Sequence, residues 1–231
     1  MTSVAIMQPT YLPWLGYLAL MDRVDIFVFL DSVAFDRRSW QQRNRIKNAN
    51  GIQTLTVPVF KKGLRGQTIA EVRINPEFGF PEKHIRSIEA AYGKAPFFDH
   101  YAPGLFAHMA HRREFLSDLT IDLIEWIADQ FGITTRRMRS SSMKASGKKA
   151  DLLVEICREL HANSYISPPG SRVYLDESSV FQNQGIDVSY SEYVHPDYPQ
   201  RHGDFVPKLS AVDLLFNVGP NSLEVLRQGI C

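Results

Sequence analysis

The first thirty-one residues constrain the fold more than any other stretch. Val4-Ala5-Ile6-Met7 is an apolar run closed by Gln8-Pro9-Thr10, residues 14–24 carry a helical pattern, and Ile26-Phe27-Val28-Phe29-Leu30-Asp31 is a second apolar run ending in an acid. Short, wholly apolar runs read as strands buried on both faces, and the order strand, helix, strand places two such strands side by side and parallel. The unit predicts an α/β fold with a Rossmann-like parallel sheet core flanked by helices. It also predicts a ligand crevice where the strands end, around the loop that begins at Gln8.

Beyond this unit, residues 37–48 form a basic, polar segment, and Asn50-Gly51 is a turn signal leading into an expected strand from Gln53 to Val59, as in a hairpin. Lys61 to Gly66 reads as a glycine-bearing basic loop and Ile69 to Ile74 as a further strand, broken by Pro76 and Pro81. Helices are expected over 82–93, 103–113 and 117–131. In the last of these Leu119, Leu123, Ile124, Ile127 and Ala128 repeat at three and four residues, and Gly132 stands as a stop. Residues 134–149 read as a mobile basic loop, followed by a helix from about Lys149 to Leu160. Strands over Tyr165–Ser167 and Asp187–Tyr193 and a short helix near 176–184 complete the pattern. The expectation is one α/β domain over 1–231 with a mainly helical middle section, in which about 76–150 forms a possible helical subdomain.

At 231 residues and 44% apolar content the chain has enough material for one sizeable core. Lysine and arginine (26) nearly balance aspartate and glutamate (25), so no global field draws the protein to nucleic acid or an anionic membrane, and neither is an expected partner. Nowhere do eighteen apolar residues run together, and Met1 leads into a strand rather than a signal sequence. Two distant cysteines, Cys157 and Cys231, suit a reducing compartment, and a cytoplasmic location is expected. His108 and His111 stand at i, i+3 without a third ligand, so no metal site is expected. The absence of G-x-S-x-G and Walker A runs removes the commonest hydrolase and NTPase readings. The residues name no cofactor.

Candidate chemistry must therefore be local. Asp31 closes a buried strand, where it either holds a hydroxyl or amine of a substrate or caps the next turn. Gln8, Tyr11 and Tyr17 are expected to rim the same crevice, and Trp14 either stacks on a ligand ring or packs in the core. Arg37, Arg38, Arg43, Arg45 and Lys47 fall within eleven residues, interleaved with Trp40, Gln42 and Asn44. The mixture offers stacking, phosphate binding and amide hydrogen bonds to a small, phosphate-bearing molecule. His84 and His195 are the two candidate general bases, with Asp31 as the third catalytic candidate. Tyr174 and Asp176 follow the Pro168-Pro169-Gly170 turn as candidate specificity residues. Asp213 interrupts an apolar helix and, if buried, needs a partner; an arginine of the basic segment is expected.

Five ordered runs carry a resemblance over nearly the whole chain: Gln8 to Tyr17; Arg38 to Ile46; Lys83-His84 with Tyr92 to Pro96; Tyr174-Leu175-Asp176; and His195 to Gln200 with Asp213 to Asn217. In these the chain resembles the WbqC-like family, found chiefly in bacterial gene clusters for surface polysaccharides and some secondary metabolites. The resemblance implies an accessory role in such a pathway and supplies no catalytic set. The opening unit is also similar to adenylate-forming and nucleotidyl-transferring Rossmann proteins of the pantothenate synthetase type. Trp14-Leu15-Gly16-Tyr17 stands where those proteins have His-x-Gly-His, so Gly16 matches and both histidines are replaced. Tryptophan cannot fill the electrostatic role of a histidine beside a reacting phosphate, and a tyrosine hydroxyl fills it only partly. Ser140 to Lys144 with Ser146 to Lys149 could imitate their phosphate loop. Three functions stay open: a transferase or ligase that acylates an amine of an amino sugar or related metabolite, an ATP-dependent nucleotidyl transferase or adenylating ligase, and a non-catalytic binding protein of glycan assembly.

Overall fold

A computed structural model of the chain describes residues 1–60, 66–172, 175 and 179–231. Five parallel strands form the central sheet: β1 (Ser3–Met7), β2 (Ile26–Phe29), β5 (Arg136–Arg139), β6 (Ser164–Ser167) and β7 (Asp187–Tyr190), in the order β5-β2-β1-β6-β7. Val4 pairs with Ile26 and Met7 with Phe29, so the two apolar runs lie in register at the centre. The sheet grows outward from β1 on one side through β2 and β5, then on the other through β6 and β7. The order reverses between β1 and β6, the topological position at which open α/β sheets take ligands.

Alternation along the strands divides the core in two. Ala5, Phe27 and Phe29 face an apolar cluster built with α1 (Leu15–Asp22), α2 (Glu82–Tyr92), α3 (Phe98–Ala110), α4 (Leu116–Phe131), α6 (Ala211–Val218) and α7 (Ser222–Gln228). Val4, Ile6, Ile26 and Val28 face a second cluster with α5 (Ala150–Glu159). Each fully buried phenylalanine or leucine contributes about 1.5–3 kcal/mol, and both strand faces are covered, which is why these strands carry no polar alternation. In α4 the expected apolar face is buried, and Gly132, at φ 81°, ends the helix by donating to the carbonyls of Ala128 and Asp129.

Between β2 and β5 the chain makes a long excursion. The expected hairpin is present as β3 (Arg43–Asn48) and β4 (Gly51–Thr56), antiparallel with Asn48 opposite Gly51. Helices α2 to α4 follow and share one apolar cluster with the sheet. α3 begins five residues before the expected position 103 and carries Pro103 inside it.

Two sequence expectations are overturned. Ile69–Ile74 is not a strand: Ile69–Glu71 is a 3₁₀ turn closed by a capping box, Thr68 with Glu71, and Arg73 and Ile74 make only isolated bridges, to Phe115 and Val59. Apolar residues at 69, 72 and 74 satisfy a strand pattern and a single buried turn equally well. The supposed loop 134–149 contains β5 and a 3₁₀ turn, Ser140–Ser142. An Arg-Arg-Met-Arg strand is hidden by its composition. Tertiary contacts make it possible, since Met138 packs on the second core while Arg137 and Arg139 reach Asp129, Asp118 and Asp31. Of the helix expected near 176–184, residues 176–178 lie outside the described part, and Gln182–Gln184 is a 3₁₀ turn. The candidates Tyr174 and Asp176, and most of the 61–66 loop, also lie outside the described residues. No described helix is long and apolar enough to cross a membrane.

Candidate functional site

Past the end of β1, the loop Gln8–Pro13 meets the basic segment. The Tyr11 amide donates to the Trp40 carbonyl (3.0 Å) and Asn44 Nδ2 donates to the Leu12 carbonyl, Leu12 being held at φ 46°. Further along, the Ser210 amide donates to the Arg45 carbonyl (2.9 Å) and the Ala211 amide to the Pro13 carbonyl (2.7 Å), which fixes the start of α6 against both. These three segments enclose a cavity of about 310 Å³ beside the N-terminus of α1. Trp14, Tyr17 and Trp40 give it aromatic walls, Thr10 and Asn44 add neutral polar groups, and Arg45 and Lys208 bring two cations; Met7 completes the lining. No carboxylate lines it among the described residues.

What distinguishes this region is unfinished hydrogen bonding. Nine buried side-chain polar atoms lack a partner among the described residues, and five lie here or just beyond: Thr10 Oγ1, Tyr17 Oη, Arg45 Nε, Tyr193 Oη and His195 Nε2. Buried polar groups are normally satisfied, so these five atoms set the region apart from the closed clusters of the fold. Tyr17 is wholly buried, and burial pushes its hydroxyl well above the usual tyrosine range. Arg45 stacks on the exposed Trp40 ring, 5.3 Å from its centroid, and Nη2 donates to the Lys208 carbonyl at 3.2 Å.

His195 extends the site. An aromatic chain leads to it, with Trp14 edge-on to Tyr193 at 5.7 Å and Tyr193 edge-on to His195 at 6.1 Å. Tyr198 and Phe205 pack on the His195 ring from 6.0 and 5.6 Å. Its Nδ1 lies 3.1 Å from the Pro196 carbonyl, which can only accept, so Nδ1 carries the proton and the buried Nε2 is left as a lone-pair acceptor. Burial holds the imidazole below its ordinary pKa, and the charge on Lys208 adds to that.

The second candidate base sits differently. His84 Nδ1 is 2.8 Å from the Tyr11 hydroxyl, and the ring also hydrogen-bonds the Thr56 backbone. One tautomer satisfies both contacts: Nε2–H donates to the Thr56 carbonyl and Nδ1 accepts from Tyr11. Burial lowers the His84 pKa to about 4. Both nitrogens are occupied, Tyr11 is wholly enclosed, and the pair ties α2 to the β1 loop and the hairpin.

Asp31 is likewise surrounded. Its carboxylate accepts from Arg139 Nε (2.9 Å), the Ser141 amide and hydroxyl (2.8 Å each) and the Ser140 hydroxyl (3.2 Å). It thereby fastens the turn after β5 to the end of β2. The expected arginine beside Asp213 is replaced by two tyrosines: Tyr92 (2.8 Å) and Tyr198 (3.0 Å) donate to its carboxylate, and the basic segment contributes only the charge of Lys47. Burial raises the Asp213 pKa. Lys47 Nζ instead donates to Gln200 Oε1 and to the carbonyls of Gly203 and Asp204. An arginine would bring a larger head into a space closed by those loop carbonyls.

Of the expected binding residues, the structure gathers Trp14, Tyr17, Trp40 and Asn44 around the cavity, with the Arg43 guanidinium over the Trp40 ring at 5.8 Å. Gln8 is exposed and accepts from Gln41 at 2.8 Å; Gln42 is buried with an unpartnered Oε1; Arg38 is exposed at φ 64° and does not line the cavity. Thr10 and Lys208 were not legible as site residues. Thr10 is one hydroxyl in a Pro-rich loop without distinguishing chemistry, and Lys208 is a lone lysine 163 residues from Arg45.

Fold and site together define a Rossmann-like α/β protein with a small, basic, aromatic-walled cavity at the end of its first strand. The chain belongs to the WbqC-like protein family, whose model matches residues 8–225. It is also similar to the uncharacterized protein Rv1507c of Mycobacterium tuberculosis, 37% identical over 229 residues covering 98% of each chain. No solved structure matches. Family membership suggests a glycan- or secondary-metabolite-related function and names no specific activity.

Proposed function

We propose that the protein is a small-molecule transferase or ligase that acylates an amine of an amino sugar or related metabolite in a glycan or secondary-metabolite pathway, with His195 as general base. The observation that carries this reading is the set of unpartnered buried groups at the cavity and at His195 Nε2, which the Trp14–Tyr193–His195 ring contacts connect. In the reaction the substrate nitrogen forms a bond to the activated acyl carbon as Nε2 takes its proton. The bond to the leaving group then breaks and the proton passes to that group. A neutral imidazole with its other nitrogen fixed on a carbonyl is suited to both transfers. The hydroxyls of Tyr193, Tyr17 and Thr10 are donors for the oxyanion that develops between those steps. His84 and Asp31 stay outside this scheme, because their contacts leave no group to offer a substrate.

Adenylate transfer finds less support. The Trp14 ring lies against Gly16, where an added Cβ would stand 2.2 Å from the indole, so the ring covers the first turn of α1. That turn is where related folds present helix N–H groups to phosphate.

The test incubates the protein with glucosamine and a panel of coenzyme A thioesters, with and without ATP, and follows products by mass spectrometry. N-acylated product is expected, with His195→Gln slowing its formation by about 10²–10⁴-fold and leaving the melting temperature within a few degrees. An equally active His195→Gln protein would remove the histidine from the mechanism; AMP and pyrophosphate release would move the reading to adenylate transfer.

A further inference from the structure

The cavity also limits what it holds, and this inference rests on its being the substrate site, not on acyl transfer. We propose that it binds a single sugar-sized ring bearing one phosphate or carboxylate group, with Arg45 and Lys208 as the anion clamp and Tyr17 as the hydroxyl that fixes the ring. Four observations converge. The volume, about 310 Å³, is at the lower end of the range for ligand sites, equal to about ten water molecules. That suits one ring and its substituent; a whole nucleotide sugar or coenzyme A thioester exceeds it.

The charge is one-sided. Arg45 and Lys208 face the space, and no described carboxylate does. Arg45 Nε is a buried donor without an acceptor, although the rest of the guanidinium is anchored on Trp40 and the Lys208 carbonyl. A guanidinium held in place at the cavity presents a fixed positive charge to an anionic group. Lys208 is held at φ 61°, in the left-handed region where a lysine is uncommon, and it lines the cavity. Backbone strain at a ligand-facing residue is the pattern of a position kept for its side chain.

The walls complete the description. Trp14 and Trp40 give the cavity aromatic walls suited to the C–H groups of a pyranose, and Tyr17, which also lines it, carries an enclosed hydroxyl without a protein partner. A buried tyrosine hydroxyl with no protein partner contributes nothing to the fold that phenylalanine would not.

Isothermal titration calorimetry tests this with glucose 6-phosphate, glucuronate, glucose and UDP-glucose. At least one of the two anionic sugars is expected to bind ten times or more tightly than glucose, and the pair of anions decides between phosphate and carboxylate. Lys208→Asn, which removes the charge while an asparagine accepts the backbone conformation, and Arg45→Gln should each weaken that anion about tenfold or more and leave glucose unchanged. Tyr17→Phe should weaken the sugars with the volume preserved. Equal binding of glucose and both anions overturns the proposal, as does full-strength anion binding by a folded Lys208→Asn protein; UDP-glucose binding more tightly than either anion overturns the size limit. Anion-selective binding with no acylated product would remove the acyl-transfer reading and leave this one standing. Turnover without anion selectivity would do the reverse.

Discussion

Tyr11 and Tyr17 lie six residues apart, both wholly buried, on either side of the same loop-to-helix junction, and they have opposite hydrogen-bonding states. The Tyr11 hydroxyl meets His84, whose other nitrogen meets Thr56, in a closed cluster between the β1 loop, the hairpin and α2. Tyr17 lines a cavity, and its enclosed hydroxyl meets no partner among the described residues. The same contrast separates Asp31, bound on both oxygens, from His195, free at Nε2. Burial and residue type do not separate the structural groups from the proposed functional ones here. Completion of hydrogen bonding does, because a satisfied cluster has spent its bonding capacity on the fold.

Asp31→Ala should break the comparison most forcefully. It leaves Arg139 Nε and the Ser141 amide without their acceptor, and a loss of about 3 kcal/mol is expected in denaturant unfolding, at the low end of the range because Arg139 is partly exposed and keeps Asp118. A loss under about 1 kcal/mol would mean that the cluster does not hold β5 in place.

His84 gives a pH signature of comparable size. An unfolded imidazole takes up its proton near 6.5 and the buried one only near about 4, so the unfolded state binds more protons in between. Stability should therefore be unaffected above pH 6.5 and fall as pH drops from there towards 4, by about 3 kcal/mol in all. His84→Gln should flatten that part of the stability curve; an unchanged slope would place the effect on other groups.

The tyrosine pair sharpens the comparison at smaller amplitude. Tyr11→Phe leaves His84 Nδ1 without a donor and should cost about 1–2 kcal/mol, whereas Tyr17→Phe should change stability by less than about 0.5 kcal/mol. Chemical denaturation of the two variants side by side checks it, and equal losses would erase the distinction.

Much of the frame was legible from local pattern. β1, α1, β2, the hairpin, α4 and α5 follow from apolar spacing, a turn signal at Asn50-Gly51 and a glycine stop at Gly132, and all are present. β5 was not legible, because an Arg-Arg-Met-Arg strand needs acids from α4 and β2 that lie up to 108 residues away. The site was half legible. Trp14, Tyr17, Trp40 and Asn44 stand in runs whose chemistry is visible, but no local feature separates Tyr17, which lines the cavity, from Tyr11, which does not. Nor does any link Lys208 to Arg45.

By itself the sequence determined the α/β class, the parallel central pair and the segments that carry aromatic and cationic groups, since periodicity and residue type act over a few neighbours. Tertiary structure alone decided which polar groups were satisfied. It gave Asp31 to the serines after β5, His84 to Tyr11 and Asp213 to two tyrosines, and it left Tyr17, Arg45 and His195 incomplete. A hydrogen bond requires two groups within about 3 Å, and the partners here are separated by up to 121 residues, a juxtaposition that only the folded chain creates.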